Sequence, residues 1–298
     1  MIHSRTLGDT RITGVIEYSG PTHDPAQTFA DFDPAVAERE RAWLAPHHWI
    51  PAMNRLIVTI QMWVVHHAGR IIVIDTGVGN RKPRPRVERM DNLYTLTLPW
   101  LEAAGAAPDR VTDVVITHLH TDHVGWNTVQ RDGLWVPTFP NARYHLSGTD
   151  LAWFGERFAA GTWEGVGFDD SVQPVVDAGL VDIVDGTGDI AGLGVVPLAG
   201  HTPGQFGLHL KTPAGDALFC GDLLHSPLQI VRPDWNTPFC ADQDRARATR
   251  RALLDTIADS GTLLLPAHFG APFGGYVRRR PDGGFGFDPA WQGFAWGE

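Results

Sequence analysis

The sequence predicts an α/β protein, and three observations predict it. Runs of β-branched and aliphatic residues alternate with helical periodicities along the 298 residues. Several of the apolar runs end directly in metal-competent side chains, and the carboxyl edge of a sheet is where ligands bind in α/β proteins. The composition is that of a folded chain, 43% hydrophobic and 19% charged, without a low-complexity tract.

Taken in order, Arg11 to Tyr18 reads as an opening strand. Ser19 to Pro51, rich in Pro, Asp and aromatics, reads as a loop-like segment that packs over the body of the domain or forms a lid or a dimer arm. Its His47-His48 pair is an ordinary one, since adjacent histidines point in different directions and no further ligand spacing accompanies them. Leu56 to His67 and Arg70 to Asp75 form a hairpin across Ala68-Gly69. Ile71 to Ile74 is apolar on both faces and so is a central, buried strand. Asp75, at its end, is a turn former or a hydrogen-bonding support for a ligand, and spacing alone favours the turn.

Met90, Leu93, Tyr94, Thr97, Leu101 and Ala104 recur at helical spacing, which predicts a helix from Glu88 to Ala104 with a kink or restart at Pro99 and a stop at Gly105. Val111 to Thr117 is a buried strand and Arg143 to Leu146 another. A helix starts at Ser147, where Ser147-x-x-Asp150 matches a capping box and gives Asp150 a terminal rather than a catalytic part. The segment onward to Asp177 carries Trp153, Phe154, Phe158, Trp163 and Phe168, read as core or lid packing. Strands follow at 181–184, 195–198, 206–211 and 217–220, then a helix from Asp242 to Ala258, a strand at 262–265, and a terminal hairpin and tail over 270–298.

Charge and composition exclude some classes. A formal charge of −10 disfavours a nucleic-acid partner, because phosphate backbones are gripped by clustered Lys and Arg. The one basic run, Arg278-Arg279-Arg280, reads as a solvated hairpin edge. The apolar runs are too short to span a membrane, for which about 20 residues are needed. The N-terminus lacks the apolar stretch of a secretory signal, so a soluble cytoplasmic protein is expected. Cys220 and Cys240 have no metal-type spacing and suit reduced buried thiols.

The chemistry is concentrated in Thr117-His118-Leu119-His120-Thr121-Asp122-His123-Val124-Gly125-Trp126. Three imidazoles and a carboxylate beside a buried strand are costly unless each has a partner, and a divalent metal can satisfy all of them. Three later stretches each place one metal-competent residue in a turn after a strand: Gly200-His201-Thr202-Pro203-Gly204, Cys220-Gly221-Asp222, and Pro266-Ala267-His268.

Thr-His-x-His-x-Asp-His-x-Gly, then Gly-His-Thr-Pro-Gly, then Gly-Asp, then a late His, resembles the metallo-β-lactamase superfamily over roughly Leu56 to His268. The resemblance implies an αββα sandwich of two mixed sheets flanked by helices, with a dimetal site at one edge. It implies that His118, His120 and His201 bind one ion, that Asp122, His123 and His268 bind a second, and that Asp222 bridges them. Ligands that far apart must converge, which implies a single domain over 1–298. The match of Asp75-Thr76-Gly77 turns Asp75 into a support for the motif loop. The ions implied are two divalent metals, zinc foremost, with manganese, cobalt or iron as alternatives.

Two such ions hold a water between them and bring its pKa toward neutrality, so that a hydroxide attacks a small ester without a Ser or Cys nucleophile. Asp122 can orient that hydroxide or carry its proton. Seven ligands for two ions leave open positions, unlike a closed structural zinc site. His225, three residues after Asp222, stands where acyl-homoserine lactonases of the family carry a tyrosine. It resembles the branch typified by methyl parathion hydrolase, as does the long gap between His123 and His201. His225 is therefore read as a catalytic residue or a buried histidine beside the ligands. Trp126, at the expected mouth of the site, is read as a pocket wall that favours an apolar or aromatic substrate. A lactone or an aryl or organophosphate ester is the expected small-molecule substrate. The alternatives are an oxygen-using or non-catalytic metal protein and, more distantly, a thioesterase of glyoxalase II type or a nuclease. A homodimer is the assembly considered.

Overall fold

The computed structural model describes residues 1–85 and 87–291 and the backbone of Ala295–Trp296. Mixed sheets and helices make up the chain, as the sequence predicts, and by contact they divide into two compact units. The first comprises Met1–Glu17, Ile60–Gly194 and the terminal strand; the second comprises Tyr18–Thr59 and the chain from Val195 through the C-terminal hairpin. Among the described residues, no helix is long and apolar enough to cross a membrane.

In the first unit, Arg70–Ile74, Asp113–Val115, Arg143–Ser147 and Val181–Val184 lie side by side and parallel. Ile72, Val73, Ile74, Val114 and Val115 are fully or almost fully buried, which accounts for their unbroken apolar runs. On the other flank, Arg70–Ile74 pairs antiparallel with the far end of Arg55–His67, and Ile2–Leu7 pairs antiparallel with Thr10–His23. Ile74 is in register with Val115, so the segments leaving those two strands, from Asp75 and from Ile116, start side by side. That register is the local reason a carboxylate meets the histidine motif.

One expectation changes here. The helix predicted over 88–104 is a short turn, Glu88–Met90, and a helix, Thr97–Ala103. Between them Asn92 takes a left-handed φ of 50°, and Asp91 turns its carboxylate back to accept the Arg84 amide. Tyr94 is consequently exposed although it matches the helical spacing, and Leu96 is exposed beside it. Strand Ile2–Leu7 and the hairpin of Thr128–Arg131 with Leu134–Pro137 carry too few β-branched residues to be legible. The helix Gly148–Ala159 begins at Ser147, whose side chain accepts the Asp150 amide, and Asp150 lies in the first turn.

In the second unit, Phe206–Thr212 and Gly215–Phe219 are antiparallel, Leu263–Leu265 runs parallel to the latter, and Gly275–Arg279 with Phe285–Pro289 forms the C-terminal hairpin. The remainder of the predicted tail, 292–294 and 297–298, lies outside the described residues. Helix Gln243–Ile257, capped by Asp242, packs Leu253, Leu254 and Ile257 with Leu218, Leu264 and Val277.

The segment 19–51 packs with the body of this unit, the first of the readings that the sequence left open. It folds into short helices, Pro25–Thr28, Pro34–Arg39 and Arg41–Leu44, the first two capped by Asp24 and Asp33. Phe29, Val36, Ala37 and Leu44 are fully buried with Leu228 and Trp235. Each larger apolar side chain there is worth roughly 1.5–3 kcal/mol of burial that a swinging lid would forfeit. His47 is exposed and His48 buried, so the two rings do point apart. The arginine run of the hairpin is not merely solvated: Arg278, Arg279 and Arg280 pair with Asp288, Asp255 and Glu40.

Candidate metal centre

Each unit gathers part of the ligand set. In the first, Asp75 ends its strand with a left-handed φ of 56° and is almost fully buried. Its Oδ1 accepts the Thr117 amide at 2.8 Å, and its Oδ2 accepts the Thr117 hydroxyl at 3.0 Å and lies 2.9 Å from His123 Nδ1. Because an ionised carboxylate only accepts, His123 Nδ1 is the protonated nitrogen and Nε2 keeps its lone pair. The Thr117 hydroxyl has already given its proton to Asp75, so at 3.1 Å it accepts from His118 Nδ1, and His118 Nε2 also keeps a lone pair. One buried aspartate thus sets the tautomer of two histidines. The rings of His118 and His123 lie 4.0 Å apart, and His120 meets His118 edge-on at 4.8 Å. Asp122 Oδ1 is 3.8 Å from His123 Nε2, and its side chain is part-exposed.

The motif loop is held from behind. Gly125 lies so close to Val78 that a Cβ there would fall 1.9 Å from the Val78 carbonyl, so only glycine fits. Glu17, buried on strand Thr10–His23, accepts the Val78 amide at 2.6 Å and the Trp126 indole N–H at 2.6 Å. Burial pushes the Glu17 carboxyl up, while these donors hold it down. Trp126 is 3% exposed within the core of this unit. The indole anchors the loop to Glu17, and its N–H needed a buried acceptor.

In the second unit three imidazoles surround Asp222. From Asp222 Oδ2, His268 Nε2 is 2.9 Å away and His201 Nε2 and His225 Nε2 are each 3.4 Å away. His268 Nδ1 lies 2.8 Å from the Thr59 carbonyl, an acceptor, so it donates there. In the neutral ring, His268 Nε2 then presents a lone pair to a carboxylate oxygen, an arrangement that a cation between them relieves. His201 follows Gly200, where a Cβ would strike the backbone of Ala246 at 2.5 Å, so glycine lets this turn sit against the helix Gln243–Ile257. His225 is buried, and burial pulls its pKa below the usual histidine value.

Three residues that the sequence did not single out support this cluster. Cys240 Sγ is 3.6 Å from His201 Nδ1, and burial pushes the thiol's pKa up. Arg250, fully buried, donates to the carbonyls of Leu223, Pro233 and Trp235 and to Asn236 Oδ1, which ties the Asp222 turn to the next loop. Its guanidinium pKa is lowered to about 10 by burial. Gln229 accepts the His225 amide at 2.7 Å and donates to the Trp235 carbonyl at 2.9 Å. Only Glu17, an acid inside an apolar strand, left a trace in the sequence; Cys240 and Arg250 sit in stretches without ligand spacing.

The donor set suits a divalent metal. Nitrogen and oxygen atoms supply it, with Nε2 lone pairs directed by buried Nδ1 bonds, which is the usual arrangement around zinc and its neighbours.

Comparison with known proteins agrees. The family profile described as the metallo-beta-lactamase superfamily matches residues 58–268. No curated protein matches the chain in sequence. Among solved structures, the chain is similar to the hydrolase AbOPH of the beta lactamase superfamily, with 25% identity over 97% of both chains and a TM-score of 0.78. It is also similar to AidC, a dizinc quorum-quenching lactonase, with 20% identity over 97% of both chains and a TM-score of 0.75. A probable metal-dependent hydrolase from Staphylococcus aureus follows, at 16% identity over 96% of this chain and 99% of that one, with a TM-score of 0.73.

Proposed function

The chain belongs to the metallo-beta-lactamase superfamily, and on that premise we propose that it is a metal-dependent hydrolase of small esters, lactones first and aryl or organophosphate esters second. The observation that carries the reading is the set of Nε2 lone pairs that buried Nδ1 bonds direct, at His118 and His123 in one unit and His268 in the other. By the order of the motifs, His118, His120 and His201 are assigned to one divalent ion, Asp122, His123 and His268 to a second, and Asp222 to both. The relation to AidC, named as a dizinc lactonase, supports both the pair of ions and the ester class.

When bound, the ions supply Lewis acidity and an acidified water. The chain's own residues do the rest. Asp75 holds His118 and His123 in the ligating tautomer, directly at His123 and through Thr117 at His118. Asp122 is the part-exposed carboxylate of the set, placed to receive a proton from the nucleophile and pass it to the leaving group. Gly125, Glu17 and Trp126 keep the loop from relaxing.

The test is a panel of lactones and aryl esters with the metal-loaded protein. Hydrolysis that is lost on chelation and regained with zinc, manganese or cobalt is the expected result. No turnover across the panel with metals bound, or a single iron per chain, would overturn the reading.

A further inference from the structure

His225 is the one member of the second cluster that the motif order leaves without a metal. We propose that His225 is itself a metal ligand, and that His201, Asp222 and His225 hold one divalent cation within the second unit alone. One ligand atom from each of the three lies within 4.8 Å of the others, and all three residues are buried.

The distances suit a cation shared by these groups. His225 Nε2 is 3.4 Å from Asp222 Oδ2, outside the usual N–H···O range of about 2.7–3.2 Å. Two atoms that share a tetrahedral ion at bond lengths of about 2.0–2.1 Å stand roughly 3.3–3.4 Å apart. His201 Nε2 is also 3.4 Å from the same oxygen, so geometry does not separate His225 from a residue already assigned as a ligand. The rings of His201 and His225 are 4.9 Å apart and tilted by 58°, and both direct Nε2 to one carboxylate.

The position of His225 is built rather than incidental. Gln229 fixes its amide, and Arg250 holds the Leu223 carbonyl two residues before it. The ring also stacks on His268 at 5.4 Å and meets Phe239 at 6.1 Å. Two neutral imidazoles and one carboxylate suit borderline divalent ions such as zinc, cobalt, manganese or ferrous iron, and leave further coordination positions open. The inference rests on the assignment of His201 and Asp222 as ligands made above, but it concerns occupancy and not turnover, so failure of ester hydrolysis with metal bound would leave it standing.

The experiment uses the full chain with the first unit's motif removed, His118→Ala/His120→Ala/His123→Ala, stripped by chelator, reloaded with Zn2+ or Co2+, desalted and assayed for metal. The expected result is about one ion per chain, lost when His225→Ala is added. No ion in the triple variant, or one that persists without His225, would overturn the proposal. Should circular dichroism show the triple variant unfolded, His225→Ala alone decides. A fall in affinity for one ion beyond the ~10–100-fold cost of losing a supporting group is expected, and a smaller change would overturn it.

Discussion

At the scale of single residues, Asp75 and Asp122 divide the work of a carboxylate between them. Asp75 is buried and spent on three donors. In Asp75→Asn, the amide N–H confronts one of those donors, and metal affinity should fall ~10–100-fold in a chelator competition; unchanged affinity would show that the imidazoles orient themselves. The Asp122 side chain, by contrast, is part-exposed. Asp122→Asn should lower turnover by ~10²-fold or more, with one ion bound less tightly, and near-normal rate with both ions bound would remove it from the reaction. The seven candidate ligands implied by the resemblance stand out in the sequence because metal chemistry restricts which residue types can serve. The bond of Trp126 to Glu17 does not, since an indole beside a metal motif in sequence does not reveal the acceptor of its N–H.

At the scale of elements, what placed the site was strand register and the close approach of loops. The central strands were legible from unbroken apolar runs, and Asp75 lies beside Thr117 because Ile74 pairs with Val115. The helix over 88–104 was misread because helical spacing cannot reveal a left-handed residue, here Asn92. The segment 19–51 hid three short helices, each too short to show a period. Arg250 shows how one helix serves the site: four acceptors from two loops converge on its guanidinium. Arg250→Met strands buried carbonyls, so the urea stability should drop by at least ~3 kcal/mol; a loss under ~1 kcal/mol would mean that the Asp222 turn does not depend on that clamp.

At the scale of the whole molecule, acid should unfold the protein through histidines that serve no chemistry. His48 is buried among Trp43, Phe269 and Phe287, and its pKa is lowered to about 3 by burial. Its neutral form is favoured in the fold, so stability is full above the ordinary histidine value of about 6.5 and declines as pH falls from there toward about 3. Between pH 7 and pH 5 His48 alone should cost about 2 kcal/mol of unfolding free energy. His48→Leu should be less pH-sensitive by that amount in urea titrations of metal-free protein, and an identical pH dependence would refute it. The central claim is that this chain is a two-ion ester hydrolase. Its most direct test is lactone hydrolysis by the stripped protein as Zn2+ is added stepwise. The account predicts turnover that rises to a break at two ions per chain; full activity at one ion, or none at two, would contradict it.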